Sequence, residues 1–300
     1  MKLIKPSWEI LEQGPGLKSI YEAIERAGRT CYKSKRPEGQ TAKDFVDRMI
    51  ASKHYAMLEH GTVYLKVPIS EVTNSNEESE WDILRNNPYT KTTCDSNFYY
   101  YSTNYRVIIE HGLQGVLEYL CEPTEHHEKR VTVKFTTSNS IMREFTRHRS
   151  HSFAVESTRY CNYSKDKFNN EIQCVIPSWC KNMVNGNSYN WELVYDYNIR
   201  QTEDLSEIEA RLIMSWCYSE AHYLILTNKG ILTAQEAREV LPLATKCDMV
   251  MTGFISDWRH FFSLRTSIIA ETGKPHPDAS ALADPLYKEF VDMGYMESLI

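Results

Sequence analysis

The sequence predicts a mixed α/β fold in which helices flank a sheet whose strands can pair antiparallel. Three patterns predict it. Residues 62–68 and 130–136 alternate apolar and polar side chains with the period of a half-buried strand. Residues 17–27 and 205–228 repeat apolar side chains at helical spacing. No run approaches the ~20 apolar residues a membrane helix needs, so no membrane partner is expected.

In chain order, the first helix carries Leu17, Ile20, Ile24 and Ala27 on one face, and Gly28 stands where a C-cap would. Thr41 is placed to cap a second helix that buries Phe45, Met49 and Ile50. The strand at 62–68 turns Val63, Leu65 and Val67 to one side, and the strand at 130–136 does the same with Val131, Val133 and Phe135. These two strands are expected to pair with each other. Between them, residues 69–129 are rich in Asn, Ser, Glu and Tyr and read as an insertion outside the central sheet, with a helical stretch at 112–120.

Ser138, Asn139 and Ser140 offer caps for a short helix at 141–147, and a loop follows at 150–166. Residues 171–176 form a third strand candidate that stops at Pro177. The longest helix places Leu205, Ile208, Leu212, Trp216 and Ala221 on its stripe, with Gly230 as the stop signal. Thr233 and Glu236 spell a capping box for a helix that Pro242 closes. The last helix, about 256–267, sends Trp258, Phe261 and Phe262 into the core. No repeat or linker divides the chain, so all 300 residues read as a single domain with an insertion at about 69–129.

The formal net charge of -6 argues against a general nucleic-acid coat, yet leaves room for a local basic pocket. Eight scattered cysteines contain no C-x-x-C pair, and the start lacks an apolar signal stretch, so a cytoplasmic location with free thiols is expected.

Candidate chemistry is densest at Arg147-His148-Arg149, followed by Ser157, Thr158, Arg159 and Tyr160. Adjacent cations repel unless an anion neutralises them, and guanidinium forks match phosphate oxygens. His54, Glu59 and His60 do not follow H-E-x-x-H spacing, so no metal site is expected there, and His60 is read as structural under the sheet. His126 and His127 lie in a polar stretch and are expected to be solvated.

Arg-His-Arg, seven residues, then Ser resembles the signature of the flavin-dependent thymidylate synthases. Three further segments are similar to that family's motifs, in the family's order: His54-Tyr55-Ala56-Met57-Leu58-Glu59-His60, Ala237-Arg238-Glu239-Val240-Leu241-Pro242, and residues 252–265 ending Phe261-Phe262-Ser263-Leu264-Arg265. The resemblance spans most of 16–271 apart from the insertion. It implies a twisted, mainly antiparallel central sheet flanked by helices, and a homotetramer with active sites between subunits. The implied reaction is reductive methylation of dUMP to dTMP, with 5,10-methylenetetrahydrofolate as carbon donor and FAD, reduced by NADPH, as hydride source.

By the same resemblance, Arg147, His148 and Arg149 contact FAD, and His54 and His260 line the flavin pocket. Ser157, Thr158, Arg159 and Arg238 hold the nucleotide, and Arg147 also borders the substrate. Arg265 sits against the uracil as the catalytic residue. A guanidinium there stabilises negative charge developing on the ring, independently of any family.

Six positions depart from the family pattern. Ala154-Val155 replaces the usual Asn-Glu, with the acid displaced to Glu156, which is carried as a substrate contact. Glu144 stands where Gln is usual and would need a proton, or a pairing with Arg143 or Arg147, to serve the base. Phe254 and Ser256 replace Asn and Arg near the flavin adenine side, and Ala56 replaces a small hydroxyl residue. A rival that uses a Cys nucleophile finds no Pro-Cys pair here. A second rival is a nucleotide- or nucleic-acid-binding module that uses the R-H-R without catalysis; the acidic balance and the Arg238 and Arg265 motifs weigh against it. A third is a catalytically degenerate member that binds nucleotide phosphate without flavin turnover.

Overall fold

The computed structural model describes residues 1–73, 79–192, 204–271 and 273–298. Part of the expected insertion, residues 74–78, therefore lies outside the described residues. The strands are β1 (Lys2–Ile4), β2 (Ser7–Ile10), β3 (Thr62–Pro68), β4 (Lys91–Cys94), β5 (Phe98–Asn104), β6 (Arg130–Ser138), β7 (Ser152–Val155), β8 (Gln173–Val175) and β9 (Lys246–Phe254). The helices are α1 (Gly16–Tyr32), α2 (Ala42–Ala51), α3 (Ile69–Thr73), α4 (Glu80–Asn86), α5 (Tyr105–Glu110), α6 (Asn139–Phe145), α7 (Glu207–Asn228), α8 (Ala234–Ala237), α9 (Ile255–Arg265) and α10 (Pro277–Asp292).

The central sheet has the order β2-β6-β9-β7, and every neighbour is antiparallel. Its β6 sends Val131, Val133 and Phe135 into a core shared with Phe145, Trp258, Phe261, Phe262, Leu286 and Phe290. The opposite face of β6 is polar, with Thr132 bonded to Thr252 at 2.9 Å and Thr136 donating to Asp248 at 2.7 Å.

The expected pairing of 62–68 with 130–136 does not occur. Both edges of β6 are taken by β2 and β9, so β3 pairs with β5 and forms a second antiparallel sheet, β3-β5-β4. The segment 69–129 thus supplies two strands and much of a separate core with Trp81, Tyr101, Ile108 and Val116. The stretch at 112–120 is a 3-10 turn, Gln114–Tyr119. His127 is buried rather than solvated, bonded to Leu65 O at 3.0 Å, while His126 stacks on Tyr100.

Gly28 does not end α1. The helix runs on to Tyr32, and Lys33 supplies the left-handed cap at φ 48°. Gly28 lets α2 approach, since a Cβ there would meet the Phe45 ring at 2.5 Å. Thr41 caps α2 through a reciprocal box with Asp44, and Thr233 does the same with Glu236.

On α7 the buried stripe falls beside the expected one. Ala210, Ile213, Trp216, Cys217 and Tyr223 are inside, whereas Ile208 is 64% exposed. Two buried carboxylates set this rotation: Glu209 accepts from Asn182 N and Glu220 from Ile172 N. Gly230 stops the helix at φ 65°. β7 was expected as loop; β9 and α10 were not anticipated.

Candidate active site

Ser138 at the end of β6 caps α6, accepting from Ile141 N, so the helix begins where the strand stops. One turn later α6 unwinds into Arg147-His148-Arg149, and β7 then returns the chain to β9. From the other side, α9 springs from the end of β9 and finishes on Arg265. The antiparallel β6–β9 pair therefore brings the ends of two helices together.

Arg265 is the hub of that meeting. Its Nη1 donates to Glu144 Oε2 at 2.6 Å, its Nη2 to Glu144 O at 2.8 Å and its Nε to His148 Nε2 at 3.1 Å. Glu144 was expected to pair with Arg143 or Arg147; Arg265 takes that place because it approaches end-on from α9. Burial lowers the Arg265 pKa, Glu144 opposes this, and the nearby Arg147 adds to it.

Because His148 accepts through Nε2, its proton sits on Nδ1, a buried donor with no partner among the described residues. Burial, then Arg265 and His260, push the His148 pKa down to about 4. His260 is exposed, with its ring 5.9 Å from that of His148.

His151 lies behind, edge-on to Trp258 at 4.8 Å, and burial takes its pKa to about 3. His60 is also structural, bonded through Nδ1 to Thr252 Oγ1 at 2.8 Å, with its pKa at about 3 from burial and Arg130. All three imidazoles are neutral when folded, while an unfolded histidine protonates near pH ~6.5. As pH falls below that value, protons bind the unfolded chain first, so stability is lost between about pH 6.5 and 4, and further toward 3. Thermal midpoints should fall across that window; a profile flat from pH 7 to 4 would contradict these assignments.

Gly253 makes room for His151. A Cβ there would lie 2.7 Å from His151 Nε2, and Trp258 blocks retreat of the ring. Gly253→Ala should therefore destabilise the fold by about 1–3 kcal/mol as an overpacked core does. The urea midpoint reads this, and Gly253→Ala with His151→Ala should recover part of the loss.

A second arginine group faces another side of α6. Residues Arg143 and Glu144 are successive, so they point about 100° apart round the helix. Arg143, Thr158 and Arg238 line a cleft of about 300 Å³ with Asn139, Glu239, Leu241, Pro242 and Leu243. Arg143 was not singled out from the sequence, although its spacing of four from Arg147 was a readable signal.

The remaining expected residues are more dispersed. Arg149 and Arg159 are exposed, and the Arg159 guanidinium lies over Tyr160 at 5.4 Å. Ser157 Oγ accepts from Arg159 N at 3.3 Å. His54 is exposed at the start of the turn Tyr55–His60; among the described residues no bond or ring contact ties it to Arg265. Within one chain, then, Arg147 lies near enough to Arg265 to lower its pKa, and Arg238 lines one cleft with Arg143. The displaced acid Glu156 needs correction as a substrate contact, because its carboxylate is spent on Lys246 at 2.7 Å and on Asp248 N at 3.1 Å. The even alternation of β7 turns it inward.

Phe254 is buried at the end of β9, with the Arg130 guanidinium 5.4 Å from its ring, and Ser256 N donates to Glu128. Ala56 is exposed.

Fold and site together define a mixed α/β protein that presents exposed guanidinium groups near a positioned arginine. A family model described as thymidylate synthase complementing protein matches residues 91–293, more than half of the chain. The chain belongs to that family. The match begins at β4, inside the segment expected to be an insertion.

Two curated relatives are flavin-dependent thymidylate synthases. That of Synechocystis sp. is 29% identical over 159 residues, 52% of this chain and 65% of the relative. That of Corynebacterium efficiens is 29% identical over 130 residues, 43% of this chain and 46% of the relative. The chain thus spans less than two thirds of the length of either. Among solved structures, the UMP/dUMP methylase PolB from Streptomyces cacaoi with 5-Br dUMP is similar at 14% identity and a TM-score of 0.43, over 97% of this chain and 93% of that one. Thymidylate synthase X from Helicobacter pylori with FAD and dUMP gives 12% identity and 0.40, over 94% and 92%. Among the described residues, no helix is long and apolar enough to cross a membrane.

Proposed function

We propose that this chain is a flavin-dependent thymidylate synthase, methylating dUMP to dTMP with 5,10-methylenetetrahydrofolate as carbon donor and NADPH-reduced FAD as hydride source. One observation carries the reading. In a chain of net charge -6, Arg143, Arg147, Arg149 and Arg159 have no carboxylate within ion-pair distance among the described residues; Arg26, Arg48, Arg130 and Arg259 also lack one but are scattered along the chain, while Arg29, Arg36, Arg85, Arg106, Arg211, Arg238 and Arg265 are paired. Four guanidinium groups left unpaired within one short stretch suit anions that come from outside, and phosphate is the anion their fork matches best.

In this reading Arg143, Arg238 and Thr158 take the dUMP phosphate in their cleft, with Ser157 and Arg159 supplied across a subunit boundary. The family resemblance suggests a homotetramer with sites between subunits. Arg265, oriented by Glu144 and His148, faces the uracil edge. Its charge stabilises electron density shifted onto the ring, so that C5 can accept the new carbon and release its proton. No protein nucleophile is needed for this. Glu144 restrains Arg265 until substrate competes for the guanidinium.

The residues at the R-H-R fit FAD. Arg147 and Arg149 offer unpaired donors for a pyrophosphate, and His148 Nδ1–H is a buried donor that lacks an acceptor. Phe254 and Ser256 add nothing to that fit, since one is buried under Arg130 and the other is bonded to Glu128. When bound, reduced FAD supplies the hydride that completes the methyl group. A cytoplasmic setting goes with the eight free cysteines. The whole chain acts as one unit in this reading, with 69–129 as its insertion.

Titration with FAD tests the proposal. The protein should turn yellow and hold the flavin through gel filtration, and it should bind dUMP less tightly as salt rises. A protein that stays colourless in excess FAD yet binds dUMP would be the catalytically degenerate member instead.

A further inference from the structure

We propose that a lysine-lined cavity beside Glu156, which shares no lining residue with the arginine cleft, is a separate binding site for a phosphorylated small molecule. The cavity, about 410 Å³, is lined by Lys33, Lys35, Lys167 and Lys246, together with Tyr163, Phe168 and Thr245. Glu156 lines it, whereas Thr158, two residues on, lines the cleft. Nothing in the methyl-transfer reading uses it, and the inference does not rest on that reading.

Charge bookkeeping favours an anion. Lys33 and Lys246 bridge the buried carboxylates Glu156 and Asp248, two cations against two anions. The carboxylate of Glu171, at the cavity's edge, is 3.6 Å from the Met1 amino group. Lys35 and Lys167 have no carboxylate within ion-pair distance among the described residues; Lys167 reaches only Tyr32 O at 3.4 Å and the Phe168 ring. The cavity therefore carries surplus positive charge, and ammonium groups bind phosphate as point charges.

Thr245 points to a ligand independently. It is 1% exposed and lines the cavity, yet its hydroxyl has no hydrogen-bond partner among the described residues. Buried polar groups are nearly always satisfied, so such a hydroxyl marks where a ligand oxygen belongs. Tyr163 and Phe168, with rings edge-to-face at 5.2 Å, give one wall an apolar surface for the body of the ligand. Space for more than a bare phosphate, beside that wall, is what a phosphorylated organic molecule needs.

Pyridoxal 5′-phosphate is a probe suited to the site, because it joins a phosphate to an amine-reactive aldehyde. An amine nitrogen adds to the aldehyde carbon, water leaves, and borohydride reduces the resulting C=N bond to a stable amine that peptide mass mapping locates. Burial takes the Lys33 pKa down to about 8, so part of it is neutral and reactive in mildly alkaline buffer. Labelling of Lys33, Lys35, Lys167 or Lys246 should run at least tenfold faster than with pyridoxal, which lacks the phosphate. Inorganic pyrophosphate should protect, and saturating dUMP should not. Lys35→Glu with Lys167→Glu, both at exposed positions, should remove the advantage of the phosphate without unfolding the chain. Equal rates for the two aldehydes, labelling no faster than at exposed Lys18 and Lys43, an unchanged double variant, or protection by dUMP would each overturn the assignment.

Discussion

Arg265→Ala is expected to cut tritium release from 5-tritiated dUMP by about 100- to 1,000-fold, the loss that follows removal of one preorganised donor at a developing charge. The flavin absorbance should largely stay, because Arg147 and Arg149, the donors offered to the pyrophosphate, are exposed and make no hydrogen bond to Arg265 among the described residues. The buried fit of the guanidinium decides the magnitude. Glu144 and His148 hold three of its N–H groups and fix the plane of the guanidinium, so little further ordering is needed when substrate takes the place of Glu144. Arg265→Lys should recover little, since an ammonium cannot hold two contacts to Glu144 and one to His148 together. Loss of bound flavin in either variant, with dUMP chemistry otherwise intact, would mean that the residue serves the cofactor.

The second large effect belongs to the cleft. Arg238→Ala or Arg143→Ala should weaken dUMP binding about 10- to 100-fold each, on the scale of about 1.5–3 kcal/mol for a hydrogen bond to a charged group. Both residues line one cavity, so their losses should fall short of additive. Uridine-type nucleosides without phosphate should bind the variants and the parent alike. Isothermal titration reads both comparisons; unchanged dUMP affinity in the Arg143→Ala, Arg238→Ala double variant would remove the phosphate from this cleft.

How much of this was legible depended on distance along the chain. Caps were readable because Thr41, Ser138 and Thr233 act within three residues of themselves. The strands β3 and β6 were readable because each keeps an alternating pattern, yet their partners were not, since which edges remain open depends on β2 and β9. The strand β9 hid for a physical reason: it is central, and Met249, Val250 and Met251 are all fully buried, so both faces are apolar and no alternation survives. In α10 the interior Pro285 weakens the helical pattern, because proline removes a backbone donor.

The site divided in the same way. The R-H-R announced an anion from local charge alone. The Glu144–Arg265 contact, 121 residues apart, did not show, and neither did the capture of Glu156 by Lys246, 90 residues on, at the end where β7 pairs with β9. The displaced acid had looked available to substrate because it stands one place from the family's usual acid; the packing of Lys33, Lys246 and Asp248 shows that its charge is already met.

Tritium release from 5-tritiated dUMP by the parent protein tests the central claim most directly. Release to water that requires both methylenetetrahydrofolate and NADPH, in FAD-loaded protein, is the predicted result. Retention of the label at C5 under those conditions, in protein shown to hold both dUMP and FAD, would contradict it.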